Sequence, residues 1–219
     1  MALPITWIST SDMRKRTRRI VPICMMAAFT AVLLAGINGV KPKQSPSGAG
    51  MSIEERASKA YHYAKRHGMN TNYALFLDYS VPSGTPRLFI WDFNKNMIVA
   101  RTYAMHGVGG GSTMSEPVFS NKTGSKCSSI GRFEVTKNHG HKVRRSYRLK
   151  GLDKSCSNAY RRGLMIHRST WVDRWCWKKY IPLHEESCQG CVTVSSKGMS
   201  YLEQLIQSQS EPILLWSYV

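Results

Sequence analysis

A stretch without a single charged side chain, Ile20–Val40, follows the basic run Arg14–Arg19. It restricts the fold more than any other part of the chain, because about 20 such residues are long enough for a transmembrane helix and only the residues after it remain to build a globular core. A cleaved signal peptide has the same basic-then-apolar order with a shorter apolar part. We therefore expect a basic cytoplasmic tail at 1–19 and a membrane anchor or signal peptide at 20–40.

Residues 41–50 (KPKQSPSGAG) have the composition of a flexible linker. The remaining residues, 51–219, are enough for one good core, so we expect one globular domain, present as a monomer. Basic residues beside an apolar segment stay in the cytoplasm, which places this domain on the other side of the membrane. The expected location is periplasmic or otherwise extracytoplasmic, with membrane contact through the N-terminal segment if it is not cleaved.

The chain is strongly basic, with a formal net charge of +18, and the part after residue 50 keeps a large share of that charge. Such a charge attracts nucleic acid, a membrane surface or an acidic polymer. The densest basic segment, Lys137–Lys150 (KNHGHKVRRSYRLK), has no recognisable reading helix or stacking motif, so we expect no nucleic-acid partner. We interpret it as the solvated face of a hairpin, with attraction to a carboxylate- or phosphate-rich envelope polymer as the alternative.

Six cysteines are present, and one of them, Cys24, lies in the apolar stretch. The expected exported part holds an odd number: Cys127, Cys156, Cys176, Cys188 and Cys191. In an oxidising compartment an odd number leaves one reactive thiol over. If Cys191 is that thiol, the other four permit three disulfide pairings, between which the sequence does not choose.

The pattern after the linker predicts a mainly β domain with a helix at each end. Ser52 and Glu55 form a capping box, and apolar residues at helical spacing predict a helix over 52–67. Short aromatic and β-branched segments separated by turn residues then predict strands. The predicted strands are Tyr73–Tyr79, Arg87–Phe93, Met97–Tyr103, Gly131–Thr136, Gly163–Ile166 and Ile213–Tyr218, with a second helix at Met199–Gln207.

Two segments can carry chemistry together: LMIHRS at 164–169 and SCQGCVTVS at 187–195. Cysteine attacks carbonyl groups as the thiolate, and an ordinary thiol is mostly protonated at neutral pH. His167 could take the proton of Cys191 and later give it to a leaving amine, while main-chain N–H groups at the Gly190–Cys191 turn bind the developing oxyanion. We expect Cys191 at the start of a strand.

The spacing of Cys188 and Cys191 also allows other interpretations. A C-x-x-C pair can be a redox or structural disulfide, and with Cys176 and His184 it could bind zinc. The helix start and βαβ context of a thioredoxin-like motif are missing, and an exported location disfavours a zinc–thiolate site. We therefore expect no metal and favour Cys191 as a nucleophile.

Six short motifs follow one another along residues 70–218: HGVGGG, PVFSN, SSIGRF, YRLKGLD, IHRS and GCVTVS. This order resembles the catalytic domain of L,D-transpeptidases in the YkuD-like family. The resemblance implies a β-sandwich-like domain with Cys191 as nucleophile, His167 as general base and no cofactor. It also implies a peptidoglycan stem tetrapeptide as substrate. The cysteine attacks the carbonyl of the diamino acid before the terminal D-alanine, D-alanine leaves, and an amine takes the acyl group, or water does so in a carboxypeptidase.

The chain departs from the family pattern near the nucleophile. The usual Ser three residues before it is replaced by Cys188, with Ser187 one position earlier, and Thr193 replaces the Arg or Asn found in many members. Binding of the substrate carboxylate by that Arg is then in doubt, and Arg168 is the nearest alternative in the sequence. We predict that the residues near substrate are His106, Ser129, Gly131, Arg168, Ser187 and Thr193.

Several of these residues have a simpler interpretation. His106 lies in a glycine-rich segment that suits close approach of a ligand but is equally an ordinary loop, and Ser129 and Gly131 could be plain turn residues. The aromatic residues between base and nucleophile could form a lid, although packing against the core is favoured. The alternative function for the whole chain is a disulfide-stapled module that binds envelope or peptidoglycan without catalysis.

Overall fold

The computed structural model describes residues 50–137 and 146–219, and residues 51–219 form one compact unit. The predicted tail, apolar segment and nearly all of the linker lie outside the described residues, as does most of the basic stretch Lys137–Lys150. Within the described ranges, no helix is both long enough and apolar enough to cross a bilayer.

The first helix, α1 (Ile53–Arg66), begins at the predicted capping box. The hydroxyl of Ser52 accepts a hydrogen bond from the Glu55 N–H at 3.2 Å, and the Glu55 carboxylate accepts one from the Ser52 N–H at 3.0 Å. Two N–H groups that the first turn leaves unpaired are thereby satisfied. A stripe of buried alanines packs this helix on the sheet, in contact with Phe76 and Leu214.

In the described residues, nine strands form a single sheet whose order is β3-β2-β1-β9-β5-β6-β7-β8-β4. Only Tyr103 separates the two edge strands in sequence, so the sheet curls until it is nearly closed. Neighbouring strands are antiparallel except for the parallel pairs β1–β9 and β7–β8. The strands are β1 Tyr73–Asp78, β2 Leu88–Asp92, β3 Met97–Thr102, β4 Ala104–Met105, β5 Gly131–Val135, β6 Ser146–Gly151, β7 Met165–Arg168, β8 Val192–Val194 and β9 Ile213–Tyr218.

The main core lies inside the curl. Strands from both halves of the sheet contribute to it, together with Met199, Leu202 and Ile206 of the last helix, α3 (Ser196–Ser208). Strand β1 is buried on both faces, because Leu75 and Leu77 point into this core while alternate residues lie under α1. This explains why β1 is a continuous apolar run instead of an alternating one.

The expected class, mainly β with a helix near each end, is confirmed, and each predicted strand has a counterpart. The sequence did not predict β4, β6 or the helix α2 (Thr170–Trp175), which Ser169 caps, and of β8 it predicted only the start, at Cys191. The predicted strand at 163–166 is shifted to Met165–Arg168. This shift brings His167 into regular β structure, where its position is set by two neighbouring strands.

Candidate active site

The parallel pairing of β7 with β8 brings the two halves of the site together. His167 lies opposite Thr193 and Ile166 lies opposite Val192, so Cys191 comes directly before β8 at the level of Met165. The Cys191 thiol has a hydrogen bond with the main chain of Met165. Because alternate residues of a strand share a face, the side chains of Met165 and His167 extend from the same side of β7. Cys191 therefore lies at the start of a strand, as predicted.

The imidazole of His167 is buried and oriented by the main chain. Its Nδ1 lies 3.1 Å from the carbonyl oxygen of Arg168. A carbonyl only accepts hydrogen bonds, so Nδ1 carries the proton and Nε2 is left as the basic nitrogen. Burial lowers the pKa of His167, against a smaller opposite effect of this hydrogen bond, and the neutral ring is favoured.

Two carboxylates that could have oriented His167 are used elsewhere. Asp153 forms an ion pair with Arg132, at 2.5 Å from Nη2. Asp173 accepts hydrogen bonds from the N–H and the hydroxyl of Ser196 at the start of α3. The main-chain carbonyl of Arg168, and neither of these carboxylates, is the group recorded in contact with Nδ1 of His167.

Thr193 contacts the base. Its hydroxyl donates to the carbonyl oxygen of Ser187 at 2.6 Å, and its Oγ1 lies 3.3 Å from Nε2 of His167. Since the hydroxyl proton is directed at Ser187, Oγ1 can only accept from Nε2, and it can do so only when His167 is protonated. Thr193 is fully buried. Thr193 is therefore placed to stabilise the imidazolium form of His167. Nothing in this geometry argues for the predicted contact of Thr193 with substrate.

Gly190 occupies a position that only glycine fits. Its φ is +97°, in the region that residues with a side chain rarely adopt. A Cβ on this residue would lie 2.4 Å from the carbonyl oxygen of Cys127 and 3.2 Å from Nη2 of Arg162. The positive φ and the close contacts are thus two independent reasons why the turn before Cys191 requires glycine. Binding of an oxyanion by the N–H groups of this turn stays a prediction.

The thiol of Cys191 is held as a partly buried group between β7 and Arg162. Burial raises its pKa, while the hydrogen bond with Met165 and the positive charge of Arg162 lower it. With a raised thiol pKa and a lowered imidazole pKa, Cys191 rests as a protonated thiol and His167 as a neutral imidazole at neutral pH.

His106 is used inside the protein. Its ring is 1% exposed, Nδ1 accepts from Nη2 of Arg87 at 3.1 Å, and Nε2 lies 2.7 Å from the carbonyl oxygen of Thr113. Burial, together with the charge of Arg87, lowers the pKa of His106 to about 4. Both ring nitrogens are therefore engaged, and His106 ties the glycine-rich loop to the sheet. Direct contact of its side chain with substrate has no support here.

Ser129 and Gly131 also have structural partners. The hydroxyl of Ser129 donates to the carbonyl oxygen of Ser120 at 2.8 Å and accepts from Arg162 at 2.6 Å. A Cβ on Gly131 would meet the side chains of residues 153–156 at 2.8–3.2 Å. Both residues are thus in contact with protein groups, and Gly131 is the first residue of β5, so it is not a turn residue. Their contact with substrate stays a prediction.

Arg168 contacts the ring of His167 through its carbonyl oxygen, and Ser187 is linked to that ring through the hydroxyl of Thr193. The side chain of Arg168 is exposed and extends from the face of β7 opposite to His167, because neighbouring strand residues alternate. Its carbonyl oxygen contacts the ring instead. The hydroxyl of Ser187 accepts from Ser169 at 3.3 Å and lies 3.1 Å from Nδ1 of His184. The expected contact of Arg168 with a substrate carboxylate is not supported, and that of Ser187 stays a prediction.

The five cysteines of the described ranges are all free thiols. The disulfide pairings that the cysteine count allowed are therefore not found there. In the same ranges, no three His, Cys, Asp or Glu side chains are gathered closely enough to hold a metal ion, so Cys176, His184, Cys188 and Cys191 do not form the zinc site considered above. Cys188 is buried against Met105, with 3.7 Å between the sulfurs.

The tryptophans between His167 and Cys191 differ in their exposure. Trp171 and Trp175 are half-buried, and the ring of Trp171 lies 4.4 Å from that of His184. Trp177 is 73% exposed, and the ammonium group of Lys178 lies over its ring and that of Trp175. Packing against the core thus describes the first two tryptophans and not the third.

Sequence reasoning missed Arg162, which lies between the short 3-10 helix (Lys154–Cys156) and β7. Its guanidinium reaches the turn before Cys191. The local sequence, two arginines followed by Gly163, carries no signal for this role, since every contact involves residues distant in the chain.

Cys191 thus directly precedes β8, which pairs with the strand that carries the oriented, neutral imidazole of His167. The family model for the L,D-transpeptidase catalytic domain matches residues 47–218. The chain belongs to this YkuD-like family of peptidoglycan-modifying enzymes.

Solved structures similar to this chain include two of the helical cell shape determining protein Pgp2 from Campylobacter jejuni, one of them a point mutant. The sequence identities are 10% and 11%, with a TM-score of 0.43 in both comparisons. The matches cover 67% of this chain and 47% or 48% of the Pgp2 chain, so this chain spans about half the length of those proteins. A search of curated proteins finds no match.

Proposed function

We propose that this protein is a cysteine L,D-transpeptidase that acts on the stem peptides of peptidoglycan. Its family membership supports the substrate class. The observation that carries the proposal is the orientation of His167 by the Arg168 carbonyl, which leaves Nε2 as a free base on the strand that adjoins Cys191.

The reaction proceeds in two acyl transfers. Cys191 loses its proton to His167 and attacks the carbonyl carbon of the diamino acid, so that a C–S bond forms. The peptide C–N bond then breaks, and the proton on His167 passes to the nitrogen of the departing D-alanine. An acceptor amine attacks the thioester, a new C–N bond forms, and the sulfur leaves and regains a proton. Water in place of the amine gives carboxypeptidase activity.

Residues around the pair support the charges that develop. While His167 holds the proton, Nδ1–H donates to the Arg168 carbonyl and Nε2–H can donate to Thr193, so both N–H groups of the imidazolium have acceptors. The oxygen of the tetrahedral intermediate is negative, and the main-chain N–H groups at Gly190–Cys191 are its proposed donors.

We propose a periplasmic or other extracytoplasmic location, because the proposed substrate lies there and the N-terminal sequence has the order of an export signal or anchor. The protein contacts the membrane through this segment if it is not cleaved.

The direct test is incubation of the purified protein with a disaccharide-tetrapeptide, with the products identified by mass spectrometry. A cross-linked dimer with free D-alanine is the expected product of transpeptidation, and a disaccharide-tripeptide identifies water as the acceptor. Unchanged substrate under conditions in which the protein is folded contradicts the proposal.

The pH dependence provides a second test. Since burial lowers the pKa of His167 below its ordinary value of about 6.5, the ring stays neutral, and able to accept a proton, in more acidic solution than a free histidine does. The acidic limb of kcat/KM for D-alanine release is therefore expected below about pH 6.5, with activity lost as His167 gains a proton. A limb centred well above that value would show that a different group is the base.

A further inference from the structure

Arg162 connects a surface loop to the turn that carries the nucleophile. Its side chain is half-buried, and its two terminal nitrogens make four hydrogen bonds with neutral acceptors of one segment, residues 120–129. These acceptors are the Ser120 carbonyl at 2.7 Å, the Ser129 hydroxyl at 2.6 Å, the Ser125 hydroxyl at 3.1 Å and the Cys127 carbonyl at 2.6 Å.

No carboxylate of the described ranges forms an ion pair with Arg162. By contrast, Arg132 is paired directly with Asp153. Burial lowers the pKa of Arg162, although a guanidinium stays protonated in proteins. Burial of a cation without a counter-ion costs free energy. A cation kept in such a place is therefore a candidate for a functional role, such as stabilising a negative charge on a neighbouring group.

The neighbouring group is the Gly190–Cys191 turn. Nη2 of Arg162 lies 3.2 Å from the position that a Cβ would take on Gly190, and the Cys127 carbonyl to which it donates lies 2.4 Å from the same position. The guanidinium is thus in contact with the residue immediately before Cys191, and its charge acts on the Cys191 thiol. Of the other titratable groups around Cys191, Tyr79 and Cys188 have pKa values raised by burial, and His167 on the adjoining strand has a pKa lowered by burial. All three are neutral at neutral pH, so Arg162 is the charged neighbour.

We propose that Arg162 is a positioning residue for the nucleophile: it holds residues 120–129 against the Gly190–Cys191 turn, and its unpaired positive charge stabilises the thiolate of Cys191. This role rests on Cys191 being the nucleophile of the proposed reaction. Arg162 itself makes no bond with substrate and acts only through the turn and the thiolate.

The test is the reactivity of Cys191 towards iodoacetamide as a function of pH, in the full-length protein, with the modified peptide quantified by mass spectrometry. Only the thiolate reacts, so the midpoint of the profile reports the ionisation of this one residue. Arg162→Gln removes the charge and should move the midpoint upward, with alkylation at neutral pH slowed by about tenfold, which corresponds to about one unit of pKa.

Two further variants separate charge from structure. Arg162→Lys keeps the charge but loses the forked hydrogen bonds, so its profile should stay close to that of the unmodified protein. Arg161→Gln is the matched control, because the side chain of Arg161 is exposed and its hydrogen bond is to Thr123. It should change neither the profile nor the thermal unfolding midpoint.

The proposal is overturned if Arg162→Gln lowers activity or stability while the profile of Cys191 stays in place, since Arg162 would then have a purely structural role. It is also overturned if Arg162→Lys shifts the profile as far as Arg162→Gln does. Should the Gln variant fail to fold, an upward shift in the Lys variant still overturns it. Because alkylation needs no substrate, a shifted profile in a protein that releases no D-alanine would refute the transpeptidase and still show that Arg162 stabilises the Cys191 thiolate.

Discussion

Replacement of Cys191 by alanine is expected to abolish D-alanine release from a disaccharide-tetrapeptide, with a loss of about 10³-fold or more in kcat. The sulfur is the atom that forms the acyl-enzyme, and no other described side chain replaces it at the start of β8. Cys191 is partly exposed, and its side chain is at the edge of the main core. The fold should therefore survive, and circular dichroism and the thermal unfolding midpoint should stay near those of the unmodified protein.

Cys176→Ala is the matched control for this variant. Its thiol is also half-buried and free, and the one hydrogen bond described for it is to the carbonyl oxygen of Asp173 at 3.5 Å. This variant should keep full activity. Release of D-alanine at the normal rate by the folded Cys191→Ala protein would remove Cys191 from the reaction and with it the proposed mechanism. An intact-mass increase equal to the acylated stem, seen in the parent protein and lost in this variant, would identify the intermediate directly.

Gly190→Ala is expected to inactivate the enzyme and to lower the free energy of unfolding by about 2 to 5 kcal/mol. Part of this cost comes from a positive φ, and the larger part comes from overlap of the new methyl group with the Cys127 carbonyl. Relief of that overlap must move the turn, and the turn presents Cys191. Chemical denaturation and D-alanine release measure the two effects separately.

Gly68→Ala separates backbone strain from overlap. Gly68 also has a positive φ, +62°, but a Cβ there would have no heavy atom within 4 Å. It should cost only the strain, about 1 to 2 kcal/mol, and leave activity unchanged. Equal losses of stability in the two variants would show that close packing around Gly190 adds nothing to the cost of the substitution. Normal activity in Gly190→Ala would show that catalysis tolerates movement of the turn.

The elements that the sequence predicted well are those specified by near neighbours. The capping box of Ser52 and Glu55 involves residues three apart, and β2 and β3 were predicted from short runs of consecutive aromatic and aliphatic residues. Strand β4, which the sequence did not predict, and strand β8, of which only the start was predicted, have two and three residues. Segments this short have too few residues for a periodic pattern, and only their pairing partners make them strands.

The candidate site was predicted in part. Cys191 and His167 were found through the motifs around them, and the position of Cys191 before a strand follows from Gly190 and the β-branched residues after it. His106 and Thr193 were expected near substrate because of their sequence neighbours. Both side chains are buried and have protein partners. The local pattern does not identify the strands that decide on which face a side chain lies, and contact of either residue with substrate stays a prediction.

The sequence alone determined the mainly β class, the order of the motifs and the family, because each depends on residue types and on spacing along the chain. Only the tertiary structure decided that the Arg168 carbonyl orients His167 and that Arg162 supports the turn at Gly190. Arg162 reaches residues 33 to 42 positions away in the chain, through contacts that exist only once the sheet has curled. Contacts across such separations arise from packing, and no local rule of residue type or spacing encodes them.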